Sequence, residues 1–313
     1  MGNGDSMKVL VTGGAGFIGS FIVEEIIKMG WEPIVVDDLS TGNLSFVPKN
    51  TPFYNIDIRS QSLEQVFRMH SPQVVIHQAA QVSVEFSSRQ PLTDCEINTL
   101  GTLNILRLCA KYKVSKFVYA SSAAVYGIAK EVPVTEAHSV LPISFYGLSK
   151  YSAEQYIHLY QQLYGLSYTI LRYSNVYGMR QNMHSEAGVV SIFVNKAIKG
   201  QQLTVYGDGS QTRDFVFVKD IAKANIQAVT YVGNETFNIS TNKPVALNEL
   251  IAVLQQSLSQ PLEIVYTDPR AGDIKDSYLS FEKAKQLLNW EPQLPFETGI
   301  NETLEYYQNL VRN

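Results

Sequence analysis

Tyr146 and Lys150 stand four residues apart in a stretch with helical patterning, so both side chains project from one face. A phenol titrates near ~10 in water. A cation held beside it favours the phenolate and turns it into a usable general base. Ser122 lies just after a short β-branched run, at a strand edge where a hydroxyl relays a proton or holds a substrate oxygen. Near the start of the chain, Thr12-Gly13-Gly14-Ala15-Gly16-Phe17-Ile18-Gly19 satisfies G-x-G-x-x-G through Gly14, Gly16 and Gly19, and G-x-x-G-x-x-G through Gly13, Gly16 and Gly19. Either spacing lets the backbone approach a pyrophosphate and offers it the N–H groups of a helix start. Asp37 follows the next predicted strand, 18 residues after Gly19. A carboxylate there accepts hydrogen bonds from ribose hydroxyls and repels a 2′-phosphate. The turn and the acid together predict a bound dinucleotide, NAD rather than NADP.

The elements that position these residues alternate. Strands are predicted at Lys8–Thr12, 33–36, 53–58, 74–78, 116–120 and 168–172, and helices at 17–29, 63–69, 98–112 and 146–164. Gly30 sits where a helix C-cap glycine belongs. Such βαβ alternation predicts an α/β fold with a Rossmann-type, doubly wound parallel sheet. After about Asn175 the rhythm changes to loops, a helix at 189–199, a turn at 207–209 and a short strand at 236–239 that returns to the main sheet. The expected division is a dinucleotide-binding domain at 7–175, joined by 215–242. A smaller C-terminal α+β substrate lobe is expected from 176–214 and 243–313, with a ligand held between the two.

Composition sets bounds on function. The 313 residues are 45% hydrophobic and 17% charged, which is ordinary for a globular protein. The net charge of -4 argues against nucleic acid as a partner. No apolar run reaches the roughly 18 residues of a membrane span, and the first six residues lack a signal-peptide core, so a cytoplasmic location is expected. Cys95 and Cys109 lack metal-ligand spacing and read as small buried apolar side chains, so no metal is expected.

Taken together, these residues resemble the extended short-chain dehydrogenase/reductase family, and within it the nucleotide-sugar 4-epimerases of the UDP-glucose 4-epimerase type. The likeness runs nearly the whole chain. It passes from Thr12–Gly19 through Asp37, Asp57-Ile58, His77-Gln78-Ala79-Ala80 and Asn98 before Gly101-Thr102 to Ser121–Gly127, which reads SSAAVYG. It continues through Tyr146–Lys150, Arg172–Gly178, Thr212–Val216 and Arg270-Ala271-Gly272-Asp273. The resemblance implies that Gly13, Gly16, Phe17, Ile18 and Gly19 hold the NAD pyrophosphate, that Asp37 holds a ribose, and that Asp57 and Ile58 sit against adenine. It places Asn98, Lys150 and Tyr173 on the nicotinamide half. Ser122 matches the catalytic hydroxyl and Tyr146 the catalytic base. Asn175, Arg213 and Arg270 would hold the UDP diphosphate, and Asp273 the uridine ribose. The implied reaction inverts C4 of a UDP-hexose through a 4-keto intermediate, in a homodimer paired by helices 98–112 and 146–164.

Four positions discriminate within the family. Ala123 and Ala124 stand where related 4,6-dehydratases carry an Asp-Glu pair and related decarboxylases a Glu; methyl groups cannot eliminate water. Ser277 stands where a Tyr would narrow the sugar pocket, so N-acetylated sugars are expected to fit as well. Arg180 is expected either to face a uronate carboxylate or to be solvated, which keeps a UDP-glucuronate 4-epimerase as the alternative. Other sugar-nucleotide chemistry on the same fold, and a non-enzymatic NAD-binding regulator, are the remaining readings.

Overall fold

The structure, a computed structural model, describes residues 6–182, 188–258, 261–269 and 275–312. Its centre is a seven-stranded parallel sheet. The first six strands are β1 (Lys8–Thr12), β2 (Glu32–Asp37), β3 (Phe53–Asn55), β4 (Val74–His77), β5 (Lys116–Ser122) and β6 (Ser167–Tyr173). Outside the sheet lie β7 (Asn175–Tyr177), β8 (Leu203–Tyr206) and β9 (Thr212–Phe217). The chain then returns as β10 (Glu235–Ile239), followed by β11 (Pro244–Ala246), β12 (Ile264–Thr267) and β13 (Asp276–Ser277). The order β10-β6-β5-β4-β1-β2-β3 reverses direction between β1 and β4, the crevice where open α/β sheets bind ligands.

The sequences explain the burial. VLVT, PIVVD and VVIH are unbroken apolar runs ending in a polar residue, as expected of parallel strands covered on both faces. Alternate residues serve opposite layers. Val9 and Val11 pack with Ile22, Ile26 and Ile221 beneath helices Phe17–Lys28 and Val218–Thr230. Leu10 packs with Leu63, Ile105 and Ile157 from helices Leu63–His70, Thr102–Lys111 and Phe145–Tyr164. A third core, including Phe193, Phe215, Leu254 and Leu304, belongs to the smaller lobe. There β9 is flanked by β11 and β13 and also pairs with β7.

Several boundaries differ from expectation, among them β3, which stops at Asn55 rather than 58. Residues 215–217 complete β9 in the small sheet, so the return to the main sheet begins with helix Val218–Thr230. The helix expected at 98–112 starts earlier, as Pro91–Cys95, and passes through a π-helical turn, Glu96–Gly101, before Thr102–Lys111. β5 runs on through Ser121 and Ser122, its last two residues. Cys109 is buried as expected, whereas Cys95 is exposed. No helix among the described residues is long and apolar enough to cross a membrane.

Helix Phe145–Tyr164 starts at Ser144, whose hydroxyl accepts from Gly147 N at 3.0 Å, and ends at Gly165 in the left-handed region. Glu154, fully buried on it, takes Arg172 Nη2 at 2.6 Å and Nε at 3.0 Å, and Ser121 Oγ at 2.5 Å. Arg172 Nη1 donates to Tyr126 Oη (2.9 Å), which donates to Asn238 Oδ1 (2.7 Å). This chain of bonds joins helix, β5, β6 and β10 at the end of the sheet where Ser122 lies. Replacing Glu154 with Gln leaves the Arg172 charge buried and unpaired. We expect it to cost about 3–5 kcal/mol of stability, read as a lowered denaturation midpoint with unchanged m-value.

Candidate active site

The turn after β1 is built for close approach. Gly13 has φ +68°, and a Cβ there would stand 2.7 Å from Ala79 N; a Cβ on Gly19 would fall on the Gly13 carbonyl oxygen. Helix Phe17–Lys28 begins at Gly16 with no side-chain cap, leaving its first N–H groups, those of Phe17, Ile18 and Gly19, for an anionic ligand. Asp37 ends β2 and is buried. Its Oδ2 accepts from Ala15 N (3.0 Å) and its Oδ1 from Leu39 N (2.9 Å), which ties the carboxylate to the glycine turn. Each oxygen retains a lone pair for a hydroxyl. Burial raises the Asp37 carboxyl above its ordinary range, and those two N–H groups oppose the rise. A cradle that side chains would fill, an uncapped helix start and this acid fit a dinucleotide.

Asp57 and Ile58 lie beyond β3, which stops at Asn55. Arg59 grips Asp57 at 2.6–3.1 Å and holds its carboxyl below the usual range. Ile58 is buried and packs under Gly101.

Ser122 and Tyr146 come together: burial pushes the phenol up to about 12, and the neighbouring Ser122 hydroxyl opposes that rise. Lys150 is 4% exposed, its ammonium 4.9 Å from the centre of the Tyr119 ring. Burial pushes it down to about 8, against the carboxylates of Asp94 and Glu154. Tyr146, Lys150 and Glu154 form one buried line at four-residue spacing on the same helix. A phenol, a hydroxyl and an ammonium at the end of a parallel sheet can move a proton to or from a substrate alcohol.

Two clusters beside these groups join Asn98 and Tyr173, both expected at the nicotinamide, to side chains given no chemical role in the sequence: Thr12, His77 and Thr102 in one, Gln78 and Asn225 in the other. Thr102 Oγ1 gives its one proton to Asn98 O (2.6 Å), so it accepts from His77 Nε2–H (2.9 Å), and His77 Nδ1 accepts from Thr12 Oγ1 (2.6 Å). Burial pushes His77 down to about 3, so the ring is neutral and bridges β1, β4 and the helix at the crevice. Tyr173 Oη accepts from Gln78 Nε2 (3.1 Å) and Asn225 Nδ2 (2.8 Å). Asn98, expected at the nicotinamide, is 1% exposed and fully engaged. Its Oδ1 accepts from Gln81 N, and its Nδ2 faces Gln81 O, Asp94 Oδ1 and Ser149 Oγ at 2.9–3.2 Å. It holds the loop that follows β4. For Thr12 and His77 the local signal was a polar residue closing a buried strand; Thr102 and Asn225, on helices, had none.

The small sheet gathers three of the residues expected at the substrate. Arg213 pairs in register with Ser277 on one side and Val245 on the other, and exposed Asn175 pairs with Phe215. Arg213 Nη1 donates to Thr212 O at 2.8 Å. Buried Asp214 accepts from Ser174 after β6, Thr241 and Asn242 after β10, and Leu279 after β13, at 2.7–3.4 Å. These bonds fix the small sheet at the C-terminal edge of β6 and β10, the edge where Ser122 lies. Arg270 and Asp273 fall outside the described residues. Ala123 and Ala124 open a short 3-10 turn after Ser122, with Ala123 packed among apolar neighbours.

Arg180 departs from both of its expected roles. Its guanidinium donates to Glu24 (2.5 Å) and Ser20 (3.1 Å) and covers the Phe21 and Phe46 rings. It is a clamp between the loop after β7 and the first helix.

Residues 9–240 match the model of the NAD dependent epimerase/dehydratase family. The chain is similar to the crystal structure of a UDP-glucose 4-epimerase with UDP-glucose from Thermotoga maritima (42% identity, TM-score 0.95, 97% of this chain and 100% of that one). It is similar to a Thermus thermophilus UDP-glucose 4-epimerase in complex with NAD (40%, TM-score 0.91, 96% and 99%). A UDP-N-acetylglucosamine 4-epimerase from Methanobrevibacter ruminantium in complex with UDP-N-acetylmuramic acid is also alike (33%, TM-score 0.93, 97% and 99%). With the glycine cradle, the buried Tyr-Lys helix and these likenesses in agreement, the chain belongs to the NAD dependent epimerase/dehydratase family of enzymes.

Proposed function

We propose that this chain inverts C4 of a UDP-hexose, interconverting UDP-glucose and UDP-galactose through a 4-keto sugar. The observation that carries the reading is the meeting of Ser122, Tyr146 and Lys150 at one sheet edge, beside the glycine cradle and beneath the sheet that holds Arg213. In this reading Gly13, Gly16, Phe17, Ile18 and Gly19 lie under the cofactor pyrophosphate, and Asp37 takes the ribose. Asp57 and Ile58 flank the adenine. Lys150 and Tyr173 face the nicotinamide half, and Asn98 acts on it through the loop it holds. Bound NAD supplies the hydride acceptor and donor. Ser122 holds the oxygen on C4. Tyr146 takes the proton of the C4 hydroxyl and returns it after the sugar has turned its other face. Lys150 and the charge of oxidised nicotinamide lower the phenol from its buried value toward working pH. Arg213 and Asn175, with Arg270 and Asp273 by their place in the motif, keep the nucleotide in place while the sugar turns.

The neighbouring positions narrow the chemistry. Ala123 and Ala124 provide no acid or base for a dehydration. The clamp at Arg180 occupies the group that a uronate would need. Ser277, small and beside Arg213, supports acceptance of N-acetylated sugars. Pairing of two copies is supported by an apolar face that includes Leu92, Leu148, Leu159 and Leu163, each 47–79% exposed, on helices Pro91–Cys95 and Phe145–Tyr164.

Incubation of the purified protein with UDP-glucose, UDP-N-acetylglucosamine and UDP-glucuronate, followed by anomeric-proton NMR, tests the reading. The C4 epimer of the first is expected, with that of the second; conversion of the third alone overturns the hexose assignment. Tyr146→Phe should keep fold and cofactor while losing roughly 10²–10⁴ in kcat. Ser277→Tyr should abolish turnover of the N-acetyl sugar and spare UDP-glucose; equal loss on both refutes the pocket assignment.

A further inference from the structure

Asp94 plays no part in the reaction as derived above, yet it is a carboxylate 1% exposed beside the catalytic helix. It sits on helix Pro91–Cys95, which packs against helix Phe145–Tyr164. Its Oδ1 accepts from Gln81 Nε2 (2.6 Å) and Asn98 Nδ2 (3.2 Å). The same Asn98 amide reaches Ser149 Oγ (3.1 Å), which donates to Tyr146 O (3.0 Å). Two bridging side chains therefore couple the carboxylate to the turn that separates Tyr146 from Lys150. Its Oδ2 is buried without a hydrogen-bond partner. A buried acceptor left open is costly, so its retention calls for a role.

The groups around Lys150 show what that role is. From β4, His77 is neutral. From β5, Tyr119 offers only its ring face. From the same helix, Glu154 is already matched by Arg172. Among the described residues no ion pair neutralises Asp94. We propose that Asp94 is a positioning residue whose uncompensated negative charge holds Lys150 as an ammonium beside a cationic cofactor and sets the pH window in which Tyr146 works. The inference rests on the epimerase reading for the roles of Tyr146 and Lys150.

The sign of the effect is fixed. Burial lowers the Lys150 ammonium and Asp94 opposes that fall; burial raises the Tyr146 phenol, the nearby Ser122 hydroxyl opposes that rise, and Asp94 adds to it. Removing the charge lets Lys150 lose its proton at lower pH and lets Tyr146 ionise at lower pH. Both limbs of the profile therefore move in the acid direction.

Asp94→Asn keeps the shape and an acceptor for Gln81 and Asn98, and Asp94→Glu keeps the charge. On NAD-loaded protein, the kcat–pH profile of D94N should move down by about one pH unit on both limbs. D94E should keep the wild-type limbs at reduced rate. Phenolate absorbance, taken as the difference from the same protein carrying Tyr146→Phe, should show the same displacement without any turnover. If wild type fails to epimerise any UDP-sugar, the functional reading falls while the phenolate titration still judges Asp94. Unmoved limbs and an unmoved phenolate titration in D94N overturn the proposal. Should D94N not fold, infrared spectra of wild type decide. A protonated buried carboxyl band at neutral pH, assigned to Asp94 by isotope labelling, overturns the proposal, and its absence supports it.

Discussion

An ammonium group withdrawn from water at the end of a parallel sheet needs negative charge or electron-rich faces around it, and each of those needs partners of its own. Lys150 is that group, and its requirements spread outward. The Tyr119 ring beneath it fixes the face of β5. Glu154, one turn further along the helix, requires Arg172 on β6, and Arg172 in turn donates to Tyr126, which donates to Asn238. By that route the charge that serves the site also knits β5, β6 and β10 to the helix. The hydrogen-bonded line Thr12–His77–Thr102–Asn98 performs a similar task across the crevice, with neutral groups throughout. One end of the sheet is thus made rigid by polar contacts, and the apolar layers hold the rest.

Much of this was legible in the sequence because it rests on local rules. The glycine turn, the acid at the end of β2 and the four-residue spacing of Tyr146 and Lys150 each follow from backbone geometry over a few residues. Apolar runs ending in a polar residue located the strands to within a residue or two, except at β3, where only three residues pair. The π-helical turn at Glu96–Gly101 was not legible, because it depends on contacts with Ile58 and Ser149 that lie far away in the chain. The helix at Pro91–Cys95 was missed for want of length, and Asp94 with it. Arg180 shows the same limit. Nothing near it in sequence says that Glu24 and two aromatic rings will claim its guanidinium.

The small lobe contributes by register. β9 places Arg213 between β11 and β13, and the next residue, Asp214, turns inward to collect the backbone and hydroxyl donors of three loops. Alternation along a strand thus gives adjacent residues opposite sides, Arg213 partly exposed and Asp214 in the interior. Burial raises the Asp214 carboxyl and the donors around it oppose that rise, as at Asp37. In both places an acid doubles as a structural rivet.

The last strand of the main sheet has a consequence for how the molecule can be divided. β10 pairs along its whole length with β6, although the entire small sheet up to β9 is made between them in the chain. A fragment ending near residue 175 would leave β6 as an open edge, with unpaired amides and the Phe237 packing site bare. The two lobes are therefore distinct in architecture but not separable by a cut. Any chimera that exchanges the substrate lobe for another must exchange it as an insertion, preserving both strands that frame it.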